Sequence, residues 1–121
     1  MIEALFRKQY NPEKYHCVHF VIDAAKEIYR ADYAHCFVGM TGSLSETIKS
    51  SKANLSTGKR IQKPKDGCVV LMTNYDESSH VGLYYKNRVF HLTERGVQRP
   101  TLEQIKLMFK RIRFYEPNLH H

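Results

Sequence analysis

The feature that most constrains this chain is a change of period at Pro64-Lys65-Asp66-Gly67. Before it, Cys17, Phe20, Val21, Ala24, Ala25 and Ile28 recur at three- and four-residue steps, which line one face of a helix and predict one over Tyr15 to Tyr29. After it, the chain runs in short extended pieces: Cys68 to Thr73, His80 to Tyr85 and Arg88 to Thr93. Only Lys86-Asn87 separates the last two, and a two-residue connection joins antiparallel neighbours, with Asn suited to the positive φ such turns require. A helix ahead of hairpin-joined strands predicts an α+β fold in which the helix packs on an antiparallel sheet.

The remaining signals fit the same plan. Asn11-Pro12-Glu13 reads as a turn leading into the first helix. Ser43-Leu44-Ser45-Glu46 has the spacing of a capping box and predicts a surface helix over 44–54, with Leu44, Ile48, Ser51 and Leu55 on one stripe. Thr101-Leu102-Glu103-Gln104 repeats the box and opens a short helix carrying Ile105, Met108 and Phe109, and the alternating Ile112-Arg113-Phe114-Tyr115 predicts a last strand. The expected order is helix, helix, three strands, helix, strand. With 121 residues, 42% of them apolar, and no repeat or linker, the chain is read as one domain over 1–121, in which Leu119-His120-His121 is an appended tail.

Composition narrows the function classes. No apolar run approaches the roughly 20 residues of a membrane span, and Met1-Ile2-Glu3-Ala4-Leu5-Phe6-Arg7 lacks the apolar core of an export signal, so the protein is expected to be made in the cytoplasm without one. Cys17, Cys36 and Cys68 are odd in number and widely spaced, which predicts thiols rather than a disulfide framework. Nineteen Lys and Arg against twelve Asp and Glu give a formal charge of +7, which raises the local concentration of polyanions. The chain carries no recognisable nucleic-acid motif, so nucleic acid is not expected as a partner.

The chemistry-bearing residues are one cysteine and two histidines. Cys17 falls near the start of the first helix, where unpaired N–H groups and the helix dipole favour a thiolate. With Lys86-Asn87 as the turn, Tyr85 faces Arg88, Leu83 faces Phe90 and Gly82 faces His91. His80 and His91 then share a sheet face as diagonal neighbours, and Gly82, lacking a side chain, leaves room for one imidazole to reach the other. Val81, Leu83, Phe90 and Leu92 take the opposite face as core. If the helix start reaches the histidine face, the set is a nucleophile, a base and a group that orients the base: Cys17, His80 and His91.

In order and neighbourhood these residues resemble the NlpC-type cell-wall peptidases, small papain-like cysteine enzymes. The matching pieces are Cys17-Val18-His19-Phe20-Val21, Pro64-Lys65-Asp66-Gly67-Cys68-Val69-Val70, His80-Val81-Gly82-Leu83-Tyr84 and, some positions later, His91, so that the resemblance covers roughly residues 10 to 116. It implies a papain-like fold without metal or cofactor, and thiol hydrolysis of an amide in a peptidoglycan peptide, through an acyl-enzyme on Cys17. It also implies a tyrosine upstream of the nucleophile near the oxyanion site, for which Tyr10 and Tyr15 are the candidates, with the Cys17 backbone N–H as an oxyanion donor. A domain without an export signal suits a phage tail component or a secretion-system effector that acts at the cell wall. The chain departs from the family in having His16-Cys17-Val18-His19 where members usually have Asp-Cys-Ser-Gly. Cys-x-His-Phe-Val is closer to permuted relatives that are lipid acyltransferases, although those place their histidines before the cysteine. Acyl transfer, and a structural or tail-assembly module that keeps the fold without hydrolysis, are the competing readings.

Other histidines and cysteines have simpler explanations. His16, Cys17, His19, His35 and Cys36 are competent zinc ligands, but Cys17 and His19 point to nearly opposite sides of a helix, and no metal site is expected. Cys36 and Cys68 read as small buried hydrophobes.

Overall fold

A computed structural model describes residues 2–37 and 58–117. The helix expected over 44–54 and the tail at 119–121 lie outside them. The described chain holds two α-helices, α1 (Cys17–Tyr29) and α2 (Leu102–Met108), with short 3-10 turns at Ile2–Arg7 and Ala34–Phe37. Six strands follow the order β1 (Gly58–Ile61), β2 (Val69–Thr73), β3 (Ser79–Tyr85), β4 (Arg88–Thr93), β5 (Gly96–Gln98) and β6 (Arg111–Pro117). They form one open sheet in the order β1-β6-β2-β3-β4-β5, with every pairing antiparallel.

The turns behave as their residues dictate. The Cys68 amide donates to the Lys65 carbonyl at 3.0 Å, and the third residue of that turn, Gly67, takes φ +92°, a backbone shape that a side chain would strain. Lys86 and Asn87 both adopt positive φ, 49° and 65°, the pair of angles that closes a two-residue hairpin. The Asp66 carboxylate accepts from the Lys86 amide at 2.9 Å, so the first turn braces the second. Thr101 and Gln104 form the reciprocal capping box expected at the start of α2.

Two strands were not expected from the sequence. Gly58–Ile61 pairs with β6, and Gly96–Gln98 pairs with the far half of β4. Both are short edge strands whose polar and glycine content carries no period-two signal, so they owe their shape to their neighbours. The first helix also starts at Cys17, two residues later than the expected Tyr15, because His16 serves as its N-cap.

Alternation along the strands divides the core into two layers. One face, with Val69, Leu71, Val81, Leu83, Phe90 and Leu92, packs against Phe20, Val21, Ala24 and Ala25 of α1. The other, with Cys68, Val70, Met72, Tyr84, Val89 and Phe114, packs against Leu102 and Ile105 of α2 and Phe109 just after it. Among the described residues the first cluster is the larger, with sixteen buried residues against nine. Among the described residues no helix is long and apolar enough to cross a membrane.

Candidate functional site

The hairpin brings the two histidines together. The β3–β4 ladder pairs Tyr85 with Arg88, Tyr84 with Val89 and Leu83 with Phe90, in the register that the two-residue turn imposes. It stops there, one step short of the expected Gly82–His91 pair, and His91 pairs instead with Gln98 on β5. A Cβ on Gly82 would lie 2.6 Å from Val89 Cγ1 and 3.2 Å from His91 Cβ, so only glycine permits this approach. His80 Nε2 and His91 Nδ1 are 2.8 Å apart, a hydrogen bond between two imidazoles whose planes lie at 73°.

Phe109 closes this pair from the α2 side. Its ring stacks on His80 with centroids 6.3 Å apart and planes at 13°, and meets His91 edge-on at 6.4 Å. His91 is buried and His80 partly so. Burial disfavours the charged ring, which pushes His91 down to about 4; burial, then His91, then His16 push His80 down to about 3. Both rings are therefore neutral at pH 7, and the bond between them is shared by a single N–H.

Cys17 approaches from the other layer. Its helix covers the Val81 and Leu83 face of the sheet, opposite to the face on which His80 and His91 lie, so the two halves of the set do not meet by simple helix-on-face packing. The start of the helix lies instead against β3 at Val81, beyond the last β3–β4 pair. There the backbone N–H groups of Val81, the residue after His80, of Val18 and of Cys17 itself favour the thiolate, as a helix N-terminus should. Desolvation is larger: Cys17 is only 4% exposed and its thiol is pushed up to about 11, so it rests protonated.

The helix start has an unusual cap. His16, in extended conformation, accepts from the Val18 N–H on its Nδ1 at 3.4 Å, while its own N–H donates to His19 Nδ1 at 3.1 Å. The two rings meet at 4.3 Å. This is a capping box made of imidazoles, a role the residue pattern did not suggest because Ser, Thr, Asp and Asn are the usual caps. Both Nδ1 atoms are thereby taken up by the backbone. Among the described residues no group of three or more His, Cys, Asp or Glu side chains is gathered as a metal would require.

The two tyrosines have different surroundings. Tyr10 lies within electrostatic reach of both Cys17 and Glu94, and its hydroxyl is raised above the ordinary value by burial, then by Glu94 and Cys17. Tyr15 donates its hydroxyl to Asp23 at 2.7 Å and stacks on His19 at 5.7 Å. Its hydroxyl is thus engaged along α1, and Tyr10 is the one within electrostatic reach of the thiol. Cys36 and Cys68 are buried, at 3% and 1% exposure, and burial raises the Cys68 thiol to about 11. No family model matches the chain, and no curated protein matches it either.

Proposed function

We propose that this protein is a cysteine hydrolase that cleaves an amide bond in a bacterial cell-wall peptide. The observation that carries the reading is the 2.8 Å bond between His80 Nε2 and His91 Nδ1, made one residue from the Val81 amide that holds the Cys17 sulfur. That bond occupies the Nε2 edge of His80 and leaves Nδ1 for proton exchange. The base role requires His80 to carry its proton on Nε2, donated to His91, with a lone pair on Nδ1.

In the proposed reaction His80 Nδ1 takes the Cys17 thiol proton as the sulfur attacks the substrate carbonyl. The tetrahedral oxyanion is met by the Cys17 N–H, with the Tyr10 hydroxyl as the nearby side-chain donor. Collapse expels the amine, which leaves with the proton from His80, and a thioester remains on Cys17. Water then gives a proton to His80 and its hydroxide to the thioester, releasing the carboxylic acid and restoring the thiol. A resting pair of neutral thiol and neutral imidazole makes this concerted general-base attack rather than attack by a preformed thiolate.

The wall-peptide substrate and a phage-tail or effector setting rest on the resemblance in the Cys17, Gly67, His80 and His91 neighbourhoods, and the +7 charge suits an anionic wall. Incubation with purified peptidoglycan, followed by mass spectrometry of released fragments, tests the reading. New amine and carboxylate ends with the native protein, and none with Cys17→Ala, are expected. Release that is absent, or unchanged by Cys17→Ala, would reject hydrolysis at this site and leave a tail-assembly module that keeps the fold.

A further inference from the structure

Hydrogen bonding alone leaves the histidine pair under-determined. The 2.8 Å bond uses Nε2 of His80 and Nδ1 of His91, and His91 Nε2 is buried with no partner among the described residues. One bond fixes one atom of each ring but not its plane, because the outer torsion of a histidine side chain turns in broad, roughly two-fold wells. Packing has to set the planes. Phe109 is the ring that packs on both: it lies along the face of His80, with centroids 6.3 Å apart and planes at 13°, and meets His91 at 71° and 6.4 Å.

The backbone around Phe109 is held from two sides. Phe109 ends α2 in extended conformation, its amide donating to the Ile105 carbonyl at 3.2 Å, and the next amide, that of Lys110, donates to the Thr73 carbonyl at 2.9 Å. Thr73 ends β2 and follows Met72, whose partner across the β2–β3 ladder is His80. The end of α2 is thereby tied to the strand beside the base. It turns Phe109 inward while Leu107 and Met108 stay exposed.

We infer that Phe109 is a positioning residue of the histidine pair: its ring sets the planes of both imidazoles, so that His80 Nε2 stays on His91 Nδ1 and His80 Nδ1 is left for proton exchange. This rests on the reading that His80 is the base for Cys17. A leucine at 109 would fill the same apolar cluster but would offer no flat face to either ring.

The test separates positioning from core packing in the full-length protein. Phe109→Leu keeps an apolar side chain and removes the ring, Phe109→Tyr keeps the ring, and Ile105→Val removes buried volume from the same cluster without altering a ring. The N–H shared by the two histidines is followed by NMR as a proton protected from solvent. Its exchange should speed up by about 10-fold or more in Phe109→Leu, as local opening becomes easier, and stay near native in Phe109→Tyr and Ile105→Val. On peptidoglycan, kcat of Phe109→Leu should fall by about 10-fold or more with KM little changed, the scale of a misplaced catalytic group, and Phe109→Tyr should recover most of it. Native protection of that N–H in Phe109→Leu, or an equal loss of it in Ile105→Val, would overturn the inference, because core packing would then be the whole role of Phe109. The exchange is read whether or not turnover is found, so it stands apart from the hydrolase reading, which fails instead if Cys17→Ala stays active. If Phe109→Leu does not fold, the wild-type protein decides: through-space NMR contacts from the Phe109 ring to both imidazoles are expected, and the absence of either would overturn the inference.

Discussion

At the residue scale, the site is decided by a contest between burial and local hydrogen bonds. Three N–H groups stabilise a charge on the Cys17 sulfur, but desolvation outweighs them and the thiol rests protonated up to about pH 11. Alkylation of Cys17 by iodoacetamide should therefore be slow at pH 7 and climb steeply between pH 9 and 11, tracked by mass spectrometry of the labelled peptide. A flat profile with fast labelling at pH 6 would contradict a protonated resting thiol. In the proposed mechanism the histidines divide their labour in a way substitution can read. His80→Ala should abolish turnover, whereas His91→Asn or His91→Gln, which keep a hydrogen-bonding group near His80 Nε2, should retain more activity than His91→Ala. The reverse order, with His80→Ala active and His91→Ala dead, would exchange their roles.

At the element scale, the β3–β4 hairpin is the part that does most to build the site. Its turn sets the register, its ladder ends at Leu83–Phe90, and Gly82 lets His91 lean toward His80. A methyl at residue 82 would meet Val89 Cγ1 at 2.6 Å, the Phe90 carbonyl at 3.0 Å and His91 Cβ at 3.2 Å, two of them on or next to backbone. Gly82→Ala should destabilise the protein by about 1–3 kcal/mol, the usual penalty of overpacking, and should lower turnover further by moving His91. Urea unfolding and peptidoglycan release measure the two effects. The cap on α2 offers a control at the opposite end of that helix from Phe109: Thr101→Ala removes the acceptor for the Gln104 amide, 3.3 Å away, and should cost about 1 kcal/mol with turnover little changed.

At the scale of the whole molecule, two neutral histidines in the site couple stability to pH. His80 and His91 titrate well below 6.5 in the folded protein, and near 6.5 once unfolded. Between the folded and unfolded values the unfolded chain binds more protons, so stability is fully present above about pH 6.5 and is lost as pH falls toward 4 and then 3. Cys17 and Cys68 act in the opposite range. Their folded values lie above the ordinary 9.0, so the stability they carry is present below pH 9 and declines as pH rises toward about 11. Urea midpoints measured from pH 4 to 10 should form a plateau between about 6.5 and 9. His91→Asn should flatten the acid limb without moving the alkaline one; an acid limb of unchanged slope would mean that other groups unfold the protein.

The sequence by itself determined what depends on near neighbours in the chain. The stripe from Cys17 to Ile28 made a helix, Lys86-Asn87 set the hairpin register, Gly82 made room between two strands, and Thr101 with Gln104 capped α2, because each of these is a matter of local geometry. From them the pairing of His80 with His91 was legible in the sequence. Tertiary structure alone decided the rest. Edge strands β1 and β5 form because β6 and β4 offer them hydrogen bonds, not because their residues favour extension. Which face α1 covers depends on how two layers share the apolar surface of the sheet, and that placed the helix opposite the histidines, with the Val81 amide as the tie to the Cys17 sulfur. The state of the thiol followed suit: a helix N-terminus is written in the sequence, but the burial that overrides it is a property of the assembled fold.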